Sequence, residues 1–258
     1  MADDVLLSAR NLTKRFGGLA AVHGVSVELW RGRIHAVIGP NGAGKSTLTN
    51  LLSGDLPPTS GQVQLGTTDV TGWAPERISR QGLGRSYQKT NIFMPLTVHE
   101  NVRLAAQSRD PQQPWNPLRW WQDTRHAAIN NRALHARLES AMELSGLKDR
   151  RTAIAGTMSH GEQRQLEIAM TLATEPQVLL LDEPLAGMGV AEAERMVGLL
   201  QRLKPAHAIM LVEHDMDAVF ALADRLTVMV NGEVIAHGTP AEVRADAGVQ
   251  AAYLGEDH

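Results

Sequence analysis

The sequence predicts an α/β domain that combines a mostly parallel sheet with an antiparallel sheet and an inserted helical subdomain. Residues 34–38 and 178–181 are apolar throughout or nearly so, which is typical of central parallel strands covered on both faces. Residues 22–29 alternate apolar and polar side chains, as a half-buried antiparallel strand does. Residues 89–155 contain few strand-like runs and are predicted to form the helical insertion. The predicted core comprises residues 1–88 and 156–258.

The composition limits the classes of protein to which the chain can belong. Its 258 residues, 43% of them hydrophobic, suffice for one large α/β domain with a sizeable core. A net charge of −3 argues against a polybasic nucleic-acid binder, and the absence of cysteine excludes disulfides and thiolate metal sites. No stretch approaches the roughly 20 apolar residues of a spanning helix, and the acidic amino terminus does not resemble a signal peptide. We therefore expect a cytoplasmic protein that reaches a membrane only through partners.

The most informative stretch follows the first apolar strand. Residues 39–47 read GPNGAGKST and match the pattern G-x-x-x-x-G-K-[ST] between a predicted strand and a predicted helix. Glycines let backbone N–H groups approach a triphosphate, and the helix directs the positive end of its dipole toward it. Lys45 is placed to reach the β- and γ-phosphates, and the Ser46 hydroxyl is placed to bind Mg²⁺. The alternative is a glycine-rich turn with an exposed lysine.

Polar residues follow three further predicted strands, at the edge where open α/β sheets bind ligands. Asp182 is placed to hold hydrated Mg²⁺, and Glu183 to orient or deprotonate a water molecule. His214 follows another apolar run and could donate a hydrogen bond to a γ-phosphate, or be structural. The amide of Gln88 could reach a metal or a water molecule, or simply face solvent.

Three other features allow more than one interpretation. Phe16 lies on the predicted antiparallel sheet, where it could stack on a purine ring or pack into the sheet. Ser159 and Glu162 form a capping-box pattern at the start of a helix, so Ser159 could be a helix cap and nothing more. The tryptophans of residues 110–121 could form an interaction surface, a membrane-interface belt or the core of a small helical unit.

The remaining elements follow from local patterns. Residues 5–7 and 12–16 look like two edge strands, and residues 75–80 like a short helix. Asn231 and Gly232 are the expected turn of a β-hairpin. Residues 240–254 are predicted to form a short helix and an appendage.

In their order and spacing, these motifs resemble the ATP-binding cassette (ABC) family across essentially the whole chain. The resemblance implies a P-loop NTPase (RecA-like) core with an antiparallel β subdomain and an inserted helical subdomain, which hydrolyses ATP with Mg²⁺. The implied nucleotide-binding residues are Phe16, Gly39, Asn41, Gly42, Gly44, Lys45, Ser46, Thr47, Ser159 and Gly161. The implied catalytic residues are Glu183, His214 and Gln88. The implied metal-site residues are Ser46, Gln88 and Asp182.

The resemblance also implies individual roles. Phe16 matches the aromatic residue that stacks on adenine, and Gln88 matches the glutamine that senses the γ-phosphate and touches the membrane partner. Ser159 and Gly161 match the signature sequence that closes over ATP bound to the opposite cassette. His214 matches the γ-phosphate switch, Glu183 the catalytic base.

Two departures from the family pattern are visible. The signature usually begins Leu-Ser-Gly-Gly, and here Met158 and His160 replace its first leucine and first glycine. The serine and the second glycine that face phosphate remain. Gly189 stands where the family usually has an aspartate that crosses the dimer, so coupling between the two sites does not follow from the resemblance.

A closer similarity is to the ATP-binding subunit of branched-chain amino acid importers, and the urea and amide importers share its features. It is carried by residues 84–88, 92–98, 163–169, 212–216 and 252–255. This similarity implies a second ABC ATPase subunit (a different chain or a copy), two transmembrane permease subunits, and indirectly a periplasmic or extracellular solute-binding protein. It implies no nucleic-acid partner, and a cytoplasmic location, peripheral on the inner face of the cell membrane.

Two alternatives come from other functional classes. Some cassette ATPases act on ribosomes or DNA-repair complexes, but those usually carry two cassettes or a long coiled-coil insertion, and this chain has neither. A regulatory nucleotide-binding module without turnover is the second alternative. The presence of Glu183 and His214 speaks against it.

Overall fold

The computed structural model describes residues 4–86, 91–108 and 123–253. Gln88 and the tryptophans of residues 110–121 lie outside the described residues. The strands are β1 (Val5–Phe16), β2 (Leu19–Trp30), β3 (Ile34–Ile38), β4 (Ser60–Leu65), β5 (Thr68–Asp69), β6 (Leu83–Arg85), β7 (Val178–Asp182), β8 (Ala208–Val212), β9 (Arg225–Val230) and β10 (Glu233–Gly238). The helices are α1 (Lys45–Ser53), α2 (Pro75–Arg80), α3 (Val98–Gln107), α4 (Asp123–Leu144), α5 (His160–Leu172), α6 (Val190–Leu203), α7 (Met216–Leu222), α8 (Pro240–Ala245) and α9 (Ala247–Tyr253).

The larger sheet has the strand order β10-β9-β3-β8-β7-β6. Its strands are parallel except β10, which is antiparallel to β9. Every residue of β3, β7 and β8 is buried, as the predicted apolar strands require. Because these three strands are parallel neighbours, the residues that follow them meet at one edge of the sheet.

The smaller sheet is antiparallel, with the order β2-β1-β4-β5. The prediction of two edge strands at its start is wrong, because β1 is one continuous strand between β2 and β4. A shift in register between Ala9 and Leu12 interrupts the pairing of β1 with β2, and Asn11 there has a φ of 49°. A bulge of this kind bends a strand without ending it, and asparagine tolerates the left-handed conformation.

The chain divides into two compact units, residues 1–88 with 176–258 and residues 89–175. This division differs from the predicted one, which assigned residues 156–175 to the core. The reason is that α5 packs against α3 and α4, inside the helical unit. One apolar face of α4 and of the turn after it is buried there, with Leu138, Met142 and Leu147 at most 2% exposed.

The hairpin of β9 and β10 has the predicted turn, in which Asn231 and Gly232 both have positive φ values, 49° and 83°. The Gly232 N–H donates to the Ala43 carbonyl at 3.0 Å, so this turn supports the loop before α1. At the carboxyl end α8 is the predicted short helix, and the predicted appendage forms a second helix, α9. The two are separated by Asp246, whose carboxylate accepts a hydrogen bond from the N–H of Val249. Within the described ranges, no helix has the length and apolar character needed to span a membrane.

Candidate functional site

The loop between β3 and α1 is shaped by three glycines with positive φ values: Gly39 at 154°, Gly42 at 81° and Gly44 at 99°. A Cβ atom added at Gly39 would lie 2.1 Å from the Met229 carbonyl oxygen, and one added at Gly44 would lie 2.3 Å from that of Ala21. A Cβ at Gly42 would meet open space. Backbone packing therefore sets both ends of the loop, while its middle is open to a ligand.

The side chain of Lys45 folds back over this loop. Its Nζ donates to the carbonyl oxygens of Gly39 at 2.6 Å and Pro40 at 3.0 Å. Burial lowers the pKa of Lys45 from its ordinary value, while the carboxylates of Glu183 and Asp182 act in the opposite direction. The ammonium group thus lies in the field of the two acids that were predicted from a distant part of the sequence.

The first turn of α1 presents its backbone N–H groups without a side-chain cap, because the N-cap residue is Gly44. Ser46 in this turn is exposed, as are Asn41 and Gly42 in the loop before it. Uncapped N–H groups at a helix start, next to a lysine, form an environment that favours a phosphate group.

Asp182 and Glu183 differ in environment although they are neighbours in sequence. Asp182 ends β7 and is 3% exposed, and its N–H donates to the Ser86 hydroxyl at 3.3 Å. Glu183 has a φ of 48°, which is uncommon for a residue with a side chain, and its N–H donates to the Val212 carbonyl at 2.8 Å. The turn of the chain at Glu183 leaves its side chain 30% exposed.

His214 lies beside Glu183, as the parallel sheet requires of residues that follow β7 and β8. The distance between His214 Nδ1 and Glu183 Oε1 is 3.9 Å, and the imidazole is 63% exposed. The structure therefore brings together Lys45, Asp182, Glu183 and His214, four predicted site residues from three separate parts of the sequence.

Glu213, which is not among the predicted site residues, lies against the same group. Its carboxylate is buried and accepts hydrogen bonds from the N–H groups of Leu185 at 2.8 Å and His214 at 3.2 Å. Burial raises the pKa of Glu213, and these backbone hydrogen bonds oppose the rise. The available signal was an acid directly after an apolar strand, the same signal that identified Asp182.

Phe16 ends β1 with its side chain 49% exposed, so it is not packed into the core of the sheet. The ammonium group of Lys14 lies 5.4 Å from the centroid of its ring. An exposed ring at a strand end fits the stacking interpretation better than the packing interpretation, and a role in purine binding stays a prediction.

The predicted nucleotide-binding residue Thr47 lies in the first turn of α1, and the helical unit contains two more, Ser159 and Gly161. Ser159 is the N-cap of α5: its hydroxyl accepts from the Glu162 N–H at 3.3 Å, and the Glu162 carboxylate accepts from the Ser159 N–H at 3.0 Å. The predicted capping box is therefore present, and Gly161 is buried in the first turn of the helix. Gln163 closes the preceding turn, with its amide donating to the carbonyl oxygens of Ala155 and Met158.

Comparison with known proteins identifies the family. A family model described as ABC transporter matches residues 22–186. The chain belongs to the ABC transporter family. A second model, described as branched-chain amino acid ATP-binding cassette transporter, matches residues 233–258. The family predicted from the motifs is thus confirmed, and with it the assignment of the chain as an ABC-type ATPase.

Relatives of this ABC ATPase align over nearly the whole chain. The high-affinity branched-chain amino acid transport ATP-binding protein LivG of Escherichia coli K12 is 38% identical over 253 residues, which cover 97% of this chain and 98% of LivG. BraF of Pseudomonas aeruginosa, with the same description, is 36% identical over the same shares of each chain. The crystal structure of the ADP conformation of an ABC transporter cassette has a TM-score of 0.82 and 30% identity, covering 98% of this chain and 99% of that one. This likeness confirms the predicted fold.

Proposed function

We propose that the chain is the ATP-hydrolysing subunit of an importer that takes up branched-chain amino acids through partner membrane subunits. ATP hydrolysis is supported by one observation, the group of side chains at one edge of the sheet. This group consists of Lys45, Asp182, Glu183 and His214. The solute is inferred from the descriptions of LivG and BraF and from the match of residues 233–258.

Nucleotide binding uses the open middle of the loop and the first turn of α1. Lys45 exchanges the carbonyl oxygens that it now contacts for oxygens of the β- and γ-phosphates, and the exposed ring of Phe16 stacks on the adenine. Gly39, Gly42 and Gly44 shape the loop, while Asn41 within it and Thr47 in the first turn of α1 lie beside the phosphates.

The donor set at this edge suits Mg²⁺, which prefers oxygen ligands and keeps several waters and phosphate oxygens. The Ser46 hydroxyl and the Asp182 carboxylate would hold the ion, and bound Mg²⁺ would neutralise phosphate charge. The described residues contain no group of three or more acidic, histidine or cysteine side chains able to hold a metal by themselves, which fits an ion bound largely through its nucleotide. Gln88, the third predicted metal-site residue, lies outside the described residues.

Hydrolysis proceeds by in-line attack of water on the γ-phosphate, and the protein catalyses it by positioning the reacting groups and stabilising the developing charge. Glu183 accepts a proton from the attacking water, and His214 donates a hydrogen bond to the γ-phosphate oxygens as charge develops on them. The oxygen that bridges the β- and γ-phosphates leaves with ADP. Gln88 completes the predicted catalytic set.

Assembly supplies the rest of the site. Two cassettes hold two ATP molecules, each between the phosphate loop of one cassette and Ser159 and Gly161 of the other. The second cassette is a different chain or a copy, and the pair docks on two transmembrane permeases that receive solute from a binding protein outside. The chain is thereby peripheral on the inner, cytoplasmic face of the membrane. Gly189 supplies no carboxylate for coupling between the two sites.

A co-purification tests this proposal. Tagged Glu183→Gln is isolated from mildly solubilised membranes with ATP and Mg²⁺, because it should bind ATP without turnover and keep the closed assembly. We expect two multi-span membrane proteins and a second cassette, whereas Lys45→Ala, the matched control, should recover less of the second cassette. Ribosomal or DNA-repair proteins without any membrane protein would contradict the transport function.

Uptake by the reconstituted assembly then tests the solute. We expect ATP-dependent accumulation of radiolabelled leucine, isoleucine and valine, which Glu183→Gln abolishes. Accumulation of urea or a short amide in place of these amino acids would contradict the solute assignment while leaving the ATPase assignment intact.

A further inference from the structure

Glu213 joins two chain segments that carry proposed catalytic residues. One carboxylate oxygen accepts from the N–H of Leu185, two residues after Glu183, at 2.8 Å. The other oxygen accepts from the N–H of His214 at 3.2 Å. A single side chain therefore connects the segment after β7 with the segment after β8.

A second connection strengthens the first. The Glu183 N–H donates to the Val212 carbonyl at 2.8 Å, one residue before Glu213. The His214 imidazole then lies between two carboxylates, with Nδ1 3.9 Å from Glu183 Oε1 and 3.8 Å from Glu213 Oε2. The position of the histidine relative to Glu183 thus depends on these three backbone hydrogen bonds.

The burial of Glu213 is costly in itself. Its side chain has no exposed surface, and removing a carboxylate from water favours the neutral form. The five residues of β8 that precede it, Ala208–Val212, are all apolar and buried, so packing alone does not call for an acid here. Two acceptor oxygens on one planar group are, however, what two N–H donors from different segments require.

We propose that Glu213 is a positioning residue for ATP hydrolysis, which holds His214 and the segment after Glu183 in their working arrangement. The inference rests on the catalytic roles proposed above for Glu183 and His214. Glu213 does not itself contact substrate; it acts through the two backbone segments and the imidazole.

The test compares Glu213→Gln with the wild-type chain in the reconstituted assembly. Glutamine keeps the volume but offers one acceptor oxygen, and its NH₂ group opposes the second N–H donor. We expect kcat for ATP to fall about tenfold to a hundredfold with KM within about twofold, because the reacting groups shift while the phosphate loop does not. Glu76→Gln, an exposed glutamate on α2, is the matched control and should leave both constants unchanged.

A double-mutant cycle with His214→Ala separates a positioning role of Glu213 from a general contribution to the stability of the fold. If Glu213 acts through His214, then Glu213→Gln should cost clearly less in the His214→Ala background than in wild type. An equal loss in both backgrounds, or wild-type kcat in Glu213→Gln, would overturn the proposal. Should Glu213→Gln fail to fold, Glu213→Asp withdraws the carboxylate while keeping its charge, and the same two comparisons decide. Failure of the proposed function is a different result, namely hydrolysis at the wild-type rate by Glu183→Gln.

Discussion

Two helices of this ABC ATPase begin at residues proposed to contact ATP, and their first turns are built in opposite ways. α1 begins after Gly44, in a left-handed conformation with no side-chain cap, and α5 begins after Ser159 with a complete capping box. The start of α1 is closely approached by the backbone of a remote strand at Ala21, and its N–H groups have no side-chain cap. The start of α5 satisfies its own N–H groups through neighbours in sequence. The comparison indicates that a helix start without a local cap depends on tertiary contacts, whereas a capped one depends on its neighbours in sequence.

The largest effect should come from Gly44→Ala, which attacks that tertiary support directly. The new Cβ would lie 2.3 Å from the Ala21 carbonyl at a φ of 99°, so something must shift. We expect a loss of about 3 kcal/mol or more in the free energy of unfolding, and loss of ATP binding. Urea denaturation and nucleotide titration measure the two effects.

Gly42→Ala is the matched control for this change, since its φ is also positive but its Cβ would meet open space. We expect it to cost only about 1 kcal/mol. Equal losses for the two variants would show that backbone conformation, and not packing against β2, determines the start of α1.

Lys45→Ala should have the next largest effect, on ligand affinity. The variant removes the ammonium group that contacts the loop carbonyls and lies in the field of Asp182 and Glu183. We expect ATP affinity to fall by roughly tenfold to a hundredfold, as loss of a charge-assisted hydrogen bond does. Calorimetry measures the change, with Lys148→Ala as the control. Unchanged affinity for ATP would contradict the assignment of the loop before α1 to the nucleotide site, and the two helix starts would then no longer differ in ligand binding.

Lowering the pH should reduce the free energy of unfolding through His35 of β3. Burial, His237 and Arg225 lower the pKa of His35 to about 3, so the folded protein keeps this imidazole neutral. The unfolded chain takes up a proton near pH 6.5, and stability that is fully present above that pH is lost as the pH falls from 6.5 toward 3. The slope from this one group is about 1.4 kcal/mol per pH unit.

Urea denaturation at pH 7.5 and pH 5.0 checks this prediction. The difference in the free energy of unfolding between the two pH values should be smaller by about 2 kcal/mol in His35→Gln than in wild type. Burial also lowers the pKa values of His207 and His237, so a smaller pH dependence should persist in the variant. An identical pH dependence in both proteins would contradict the assignment.

The smallest effect on stability should come from Ser159→Ala, which removes the local cap of α5. We expect a loss of about 1 kcal/mol in the free energy of unfolding, the usual value for a serine N-cap. Ser159→Asp sharpens the comparison, because aspartate caps as well but places a carboxylate where the γ-phosphate of the opposite cassette is proposed to lie. We expect Ser159→Asp to be as stable as wild type and deficient in ATP hydrolysis. Wild-type hydrolysis by Ser159→Asp would leave Ser159 as a helix cap only.

Some of the site could be predicted from the sequence because its signals are local. The strand, loop and helix around Lys45, the capping box of Ser159 and Glu162, and the turn at Asn231 and Gly232 each depend on residues a few positions apart. The buried strands β3, β7 and β8 follow from short apolar runs. Their parallel order then places the residues that follow them at one edge.

The tertiary structure decided what depends on contacts between remote segments. The bulge in β1, the packing of α5 with α3 and α4, and the exposure of Phe16 are set by which neighbours each segment meets. Glu213 shows the reason most clearly: its neighbours in sequence give an acid after a strand, but its partner Leu185 is 28 residues away. The sequence by itself determined the strand, loop and helix around Lys45 and the chemistry of that loop. The tertiary structure decided which side chains share a site, because hydrogen bonds and burial depend on distance in space and not on distance along the chain.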